Sequence, residues 1–383
     1  MELLLAIKNN NISKVKEILD SGIDINAEDK WGNIPLQYAC LLTNIQIVEL
    51  FLSYPTIDVN KQDSNNKQTA LHILSQTENV NSDLASNIIK LLLARPEIDI
   101  NIQDSEGNTF LYYALNGYQE HVYNKIAIDV LQNPKFDVTI KNNSKETLLH
   151  KACKRGLSSI VKILLEKPEI DVNAQDITNK FSPLYISCSL AHFDSIKLLL
   201  SHPKINVNIK DKDNNFPLLT PIPQVTQLLL AHPKINVNNK DTYGDTALHK
   251  MCYDADYEII NLLLKNPNID VNVKNNRGET PLYESCLLLR NKVTKLLLDH
   301  PNIDVNVKNN ENKSLLKIVC ELYDLEIVEL LLKNKKTIID FDYSKFSFFF
   351  KRGNTYNKLR TMIKQKRNIY LEKVITILDS VEE

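Results

Sequence analysis

One phrase recurs through almost the whole chain: an apolar residue, then Asp or Asn, Val and Asn, placed after a leucine-rich run. Its leading apolar residue stands at Ile23, Ile57, Ile98, Phe136, Ile170, Ile205, Ile235, Ile269 and Ile303, with a degenerate copy at Ile339. Most steps are 34–36 residues, and three depart from that at 41, 38 and 30. Self-similarity at this period dictates a stacked array. A unit this short cannot bury its apolar face alone and borrows cover from its two neighbours.

The copy at Lys234–Pro267 is the best preserved, and it can be decoded residue by residue. Asp241-Thr-Tyr-Gly-Asp245 is turn chemistry, with Asp opening the turn and Gly244 supplying a positive φ. The equivalent turn positions are assigned to Gly32, Gly107, Gly278, Asn179, Asn214 and Asn312, the residue types that enter the left-handed region most cheaply. Thr246 is placed as an N-cap, followed by a helix at Ala247–Tyr253, a polar break at Asp254–Asp256 and a second helix at Glu258–Lys265. Asn266-Pro267 stops that helix, because proline disfavours helix in the residue before it.

These features resemble the ankyrin repeat family. The residues that carry the likeness are Thr69-Ala-Leu-His72, Thr147-Leu-Leu-His150, Ser182-Pro-Leu-Tyr185, Thr246-Ala-Leu-His249 and Thr280-Pro-Leu-Tyr283, together with leucine-rich helix ends such as Leu262–Leu264 and Leu296–Leu298. The resemblance runs from about residue 1 to 336 and implies an all-α ankyrin-repeat solenoid with protruding β-turn fingers. Its inter-helix glycine survives clearly only at Gly156, which implies locally altered loops. The implied organisation is an N-terminal capping repeat and first finger at 1–33, tandem repeats at 34–336, and a divergent C-terminal capping repeat or helical tail at 337–383.

Composition bears on this in two ways. With 8 glycines in 383 residues the chain is poor in material for flexible linkers and phosphate-cradling loops. Its formal charge of −1 hides an asymmetry: residues 333–383 carry +6 and the remainder −7. The six cysteines, Cys40, Cys153, Cys188, Cys252, Cys286 and Cys320, share one register position where the family packs a small residue. They are read as buried small hydrophobes, since helices about 8–10 Å apart exceed disulfide reach. Reduced thiols and the lack of a recognisable leader point to a cytoplasmic or nuclear protein, and no segment approaches the length of a membrane span.

Three repeats are irregular. The longer steps place polar residues around Gln76–Ser82 and Gly117–Tyr123. The short step puts Pro217, Pro221 and Pro223 where a first helix belongs, and proline inside a helix costs about 3 kcal/mol, so that helix is expected to shrink to a turn. Two readings remain for Pro217–Pro223: a hinge, or degeneration that the flanking repeats tolerate. After Leu332 the pattern fades, with helices expected at Leu359–Lys366 and Ile369–Leu378. That end reads either as a cap carrying the aromatic run Phe346–Phe350, or as a basic docking surface built from Lys345, Lys351, Arg352, Lys358, Arg360, Lys364, Lys366 and Arg367.

No catalytic motif is present: no dinucleotide or P-loop glycine pattern, no H-E-x-x-H and no nucleophile elbow. The resemblance assigns His72, His150 and His249 to hydrogen bonds with neighbouring turns, whereas His202, His232 and His300 are read as local caps or plain surface. No cofactor or metal is implied. What remains is binding surface. In the family, finger tips and the exposed side of each first helix line a groove. Here those places hold Lys30, Trp31, Asn33, Tyr38 and Leu41, then Tyr113, then Thr242, Tyr243, Asp245 and Tyr253, then Arg277, Glu279 and Glu284. Trp31, the single tryptophan, is either a contact residue or packs on an adjacent turn. The expectation is a monomeric, non-catalytic scaffold with a protein partner and no small-molecule substrate, nucleic acid or membrane disfavoured. The alternative is a targeting subunit that recruits an enzyme, such as a ubiquitin ligase or phosphatase, or an anionic surface, through its basic end.

Overall fold

The computed structural model describes residues 2–76, 82–116, 120–322, 324–339 and 361–367. They are helical with isolated bridges only, Gln103 with Thr109, Lys141 with Thr147 and Lys308 with Ser314, and no sheet among the described residues. The chain divides into two compact units, Met1–Asn206 and Val207–Glu383.

The first unit is a run of helix pairs: α1 (Glu2–Lys8) and α2 (Ile12–Asp20), α3 (Pro35–Leu41) and α4 (Ile45–Leu52), α5 (Ala70–Gln76) and α6 (Ser82–Leu93), α7 (Phe110–Ala114) and α8 (Glu120–Gln132), α9 (Leu148–Arg155) and α10 (Ser158–Leu165), α11 (Pro183–Ser189) and α12 (Phe193–Ser201). The second unit opens with a 3-10 turn, Pro217–Leu219, and α13 (Pro223–Leu230). It continues with α14 (Ala247–Asp254) and α15 (Tyr257–Leu264), α16 (Pro281–Leu287) and α17 (Asn291–Leu298), α18 (Leu315–Glu321) and α19 (Leu325–Lys333), and a helical stretch at 361–367. Within each unit, first helices pack on first helices and second on second. The leucine-rich ends supply the seam: Leu92, Leu164, Leu199, Leu229, Leu263, Leu297 and Leu331 are fully buried.

Helix boundaries follow local chemistry. Thr246 caps α14, its hydroxyl accepting the His249 N–H, and Thr147 caps α9 in the same way. In the proline-bearing repeat the first helix does shrink to a turn, and Phe216 and Leu218 fill the space beside it. The six cysteines are buried and unpaired. Burial pushes their thiols up, those of Cys153, Cys286 and Cys320 to about 12, which leaves them poor nucleophiles.

The recurring Val-Asn is a fastener. Asn26, Asn60, Asn101, Asn173, Asn208, Asn238, Asn272 and Asn306 each donate Nδ2–H to a carbonyl one repeat ahead, at 2.6–2.8 Å. Each also accepts, on Oδ1, a backbone N–H two residues further along. Thr139 takes this place in one repeat and instead bonds locally to Asp137.

Two expectations are corrected. The left-handed residue in the finger of the sixth repeat is Lys180, at φ 56°, and not Asn179. From Asp176 to Ser182 that finger is one residue longer than Asp241 to Thr246, so its positive φ falls one place later, as it does at Lys67. The inter-helix loops also keep their shape without glycine. Asn10, Thr43, Ala191, Ala255 and Leu289 all adopt φ of 49–59° where Gly156 has 68°. The two insertions lie mainly at 77–81 and 117–119, and most of the C-terminal segment at 340–360 and 368–383; all fall outside the described residues. So do Phe346–Phe350, Lys345, Lys351, Arg352, Lys358, Arg360 and the expected helix at Ile369–Leu378.

Candidate interaction surface

Each finger is a turn folded around the side chain that opens it. Asp241 Oδ1 accepts the N–H groups of Tyr243 and Asp245 at 2.8 and 2.9 Å, and Asp29 does the same for Trp31 and Asn33. Adjacent fingers are tied by backbone bonds, Asn276 N–H to the Tyr243 carbonyl and Asn310 N–H to that of Arg277, both at 3.0 Å. At Gly244 a Cβ would stand 2.5 Å from Asn276 Oδ1 and 2.7 Å from its backbone nitrogen, so this close approach demands glycine as much as the positive φ does.

Histidines lock the base of the fingers. His72, His150 and His249 each place Nδ1 against the N–H and hydroxyl of their own capping Thr. Their Nε2 atoms sit 3.0–3.1 Å from the carbonyls of Asn108, Phe181 and Glu279 in the next finger. Burial holds all three below the ordinary histidine range. Tyr283 occupies the same slot, its hydroxyl directed at the Lys313 carbonyl. His202, His232 and His300 accept the N–H groups of Lys204, Lys234 and Asn302, closing the turn after the helix-stopping prolines. The roles assigned to both sets from sequence are the ones found.

The expected contact residues sort by exposure. Trp31 is 56% exposed with Lys30 Nζ 4.2 Å above its ring. Asn33 and Leu41 are exposed beside it, and Tyr38 is half-buried; with Gly32, Gln37, Asp63 and Gln68 these three line an open cleft. In the second unit Tyr243 and Tyr253 are 69% and 56% exposed and Thr242 is also exposed, its hydroxyl bonded to the Asp213 carbonyl.

Others are held in place. Tyr113 is half-buried, its hydroxyl donating to Asp104 at 2.6 Å. Asp245, Glu279 and Glu284 are buried. Asp245 accepts from Asn275 and lies 3.5 Å from Lys250. The exposed Arg277 spans Glu279 at 2.5 Å and Glu284 at 3.3 Å. Burial pushes the Glu284 carboxyl up, and the charge of Asp245 adds to it against the pull of Arg277. These acids therefore shape the surface from below, and Arg277 presents outward over them. At the C-terminal end Lys364 and Arg367 are exposed, while Lys366 spends its ammonium on the Asn334 carbonyl beyond α19.

Sequence reasoning missed Lys151. Tyr112 of α7 stands three residues after Thr109, in the slot that His150 fills in α9, and Lys151 is the residue after His150; Lys151 Nζ stands 4.4 Å from the Tyr112 ring centroid. On the same repeats an open cleft is lined by Glu146, Lys154, Asp176, Phe181, Ile186 and Leu190, among others.

The family profile for ankyrin repeats in three copies matches residues 3–104, 122–211 and 221–309. The chain belongs to the ankyrin repeat family. Ankyrin repeats are general protein–protein interaction modules, and the family is generally non-catalytic. Similar stretches are short. Osteoclast-stimulating factor 1 of Danio rerio is 40% identical over 57 residues, 15% of this chain and 27% of that protein. The Bos taurus protein of that name is 37% identical over 57 residues, again 15% and 27%. A putative ankyrin repeat protein of fowlpox virus (strain NVSL), FPV223, is 42% identical over 52 residues, 14% of this chain and 37% of its own length. The chain thus spans between about a quarter and just over a third of these curated relatives. The crystal structure of EF0377, an ankyrin repeat protein, aligns at 21% identity and TM-score 0.46 over 52% of this chain and 98% of that one. Among the described residues no helix is long and apolar enough to cross a membrane.

Proposed function

We propose that this ankyrin repeat chain is a non-catalytic scaffold that holds a protein partner against its finger tips and first helices. The single observation behind this reading is the exposure of Trp31, Tyr243 and Tyr253 on that side of the repeats, next to a first-helix interior that is fully covered. Large aromatic groups with a polar handle concentrate binding energy, and nothing in the repeat core calls for them at these places. The histidines and cysteines that could have served chemistry are committed to finger bonds and to packing. Buried, singly placed thiols suit a reducing compartment, and cytoplasm is the proposed one.

The test is affinity purification of the full chain from its native source with mass spectrometry, followed by titration of the recovered partner against Trp31→Ala, Tyr243→Ala and Tyr253→Ala. A loss of at least tenfold in affinity with unchanged circular dichroism is expected for at least one variant of this set. Unchanged affinity for all three removes the proposed face.

A further inference from the structure

Glu284 keeps one oxygen unmet where a folded chain ordinarily supplies a donor. It stands in α16 directly after Tyr283, the place that Lys250 fills after His249 in α14. The side chain is buried. Its Oε1 lies 3.3 Å from Arg277 Nη2, whereas its Oε2, buried as well, accepts no hydrogen bond among the described residues. A buried acceptor without a donor loses its hydration and gains nothing in return.

The charges bonded to one another here leave a surplus of the same sign. Asp241 and Asp245 share Lys250, at 3.1 and 3.5 Å, while Glu279 and Glu284 share Arg277, at 2.5 and 3.3 Å. Asn275 links the two halves by donating to Asp245 at 2.9 Å. Four carboxylates thus face two cations. Lys240 and Lys274, at the base of the same fingers, donate to the carbonyls of Lys274 and Lys308, and neither forms an ion pair with these acids. Burial, with the charge of Asp245 added, accordingly pushes the Glu284 carboxyl up. Two exposed rings border the network: Tyr243 at the finger tip, with Lys250 Nζ 5.2 Å from its centroid, and Tyr253 at the end of α14. Aromatic faces and surplus carboxylate both select a cation. Among the described residues no three acid, histidine or cysteine side chains are grouped to hold a metal ion, which speaks for an organic cation. Of the two cationic side chains, the planar and weakly hydrated guanidinium both stacks on a ring and forks onto carboxylates.

We propose that the eighth and ninth repeats dock an arginine side chain of the partner protein, its guanidinium stacked on Tyr243 and taking over from Arg277 part of the bonding to Glu279 and Glu284. This rests on the reading of the chain as a protein-binding scaffold and narrows it to one partner residue. Arg277 holds the place in the unbound chain: its side chain is 62% exposed, and its contact with Glu284 is the longer of its two. The terminal torsion of a glutamate is soft, so the Glu284 carboxylate turns its unmet oxygen outward when a second guanidinium arrives with further donors.

The test measures capture of the full chain by synthetic dodecapeptide pools, random except at the sixth position, which is fixed as Arg, Lys, citrulline or Glu. The Arg pool is expected to retain at least fivefold more chain than the citrulline pool, whose side chain has nearly the same shape without the charge, with the Lys pool between them. Glu284→Gln should bring the ratio of Arg to citrulline capture close to one. Arg277→Gln, which vacates both carboxylates, should raise that ratio, and it carries the test alone if Glu284→Gln fails to fold. Glu258→Gln, which removes an exposed acid of α15, should leave it unchanged. Equal capture by the Arg and citrulline pools overturns this inference, as does an unchanged or lower ratio in Arg277→Gln. A response to Glu258→Gln as large as that to Glu284→Gln overturns it too, because the attraction is then to the acidic surface at large. All three leave the scaffold reading standing, since that reading is tested on the native partner.

Discussion

Asn272 reaches one repeat ahead and holds Asp304 by its backbone, accepting that N–H at 2.8 Å while donating to the Asn302 carbonyl at 2.7 Å. The same two-way bond at eight asparagines converts a side chain into a rung between loops 26 to 39 residues apart in sequence. Neither loop has a strand partner, so the asparagine supplies the donor and acceptor that a sheet would have supplied.

Asn272→Ala removes both bonds and is expected to cost about 1–2 kcal/mol. The Asp304 amide should then exchange with solvent faster than in the parent chain, whereas amides of the first repeats should not change, because a repeat array is coupled mainly through neighbours. Protected exchange at Asp304 in the variant would mean that the rung carries no load. The reverse experiment is Thr139→Asn, which restores the missing rung toward the Glu169 carbonyl and the Asp171 N–H and is expected to stabilise by up to about 1 kcal/mol.

The inter-helix loops offer a second gain. Ala255 and Leu289 hold φ of 59° and 54°, a conformation that costs a residue with a Cβ roughly 1–2 kcal/mol. Replacing either by glycine removes that strain and returns part of the gain as unfolded-chain entropy, so a net stabilisation of about 0.5–1 kcal/mol is expected in urea titration. Gly156→Ala should do the opposite, since its Cβ would stand 2.7 Å from His192 Nδ1.

Much of this was legible in advance because the repeat writes each element ten times over. The Thr246 cap, the prolines that end second helices, the buried cysteines and the histidine bonds all follow from local chemistry or from register. What was hidden depends on lengths and neighbours that no single repeat contains. One added residue between Asp176 and Ser182 moved the left-handed position to Lys180. Asp245, Glu279 and Glu284 were read as surface because they sit at surface register, but Lys250 and Arg277 offset the cost of burying them. The asparagine rungs were visible as a pattern, and their purpose only in the spacing between adjacent loops.

Acidification should loosen the fingers. His72, His150 and His249 are buried neutral, with Nδ1 accepting from the capping Thr N–H, so a second proton breaks that bond. With folded values held below the ordinary 6.5, the unfolded chain binds more protons through that window, and stability falls as pH drops through and below about 6.5. The urea midpoint measured between pH 7.5 and 5.5 should decline, and the decline should shrink in His150→Gln, whose amide cannot titrate. An equal slope in parent and variant would assign the loss elsewhere.

Lys151 gives the same sign on the alkaline side. Burial, reinforced by Lys154 and Arg155 and opposed by Glu146, brings its ammonium down to about 8 from the ordinary 10.5. Below pH 8 both folded and unfolded chains carry the proton, and the folded state bears the whole cost of the buried charge. Between about 8 and 10.5 the unfolded chain binds more protons than the folded one, so stability rises with pH there, by at most about 3 kcal/mol. Other groups titrate in the same range, so the informative quantity is the difference between the parent and Lys151→Met. The variant should be more stable than the parent at pH 7 and should lose this rise, because the methionine keeps the apolar stem against Tyr112 without the charge. A parent and variant with parallel stability curves from pH 7 to 10 would show that Lys151 is already compensated within the fold.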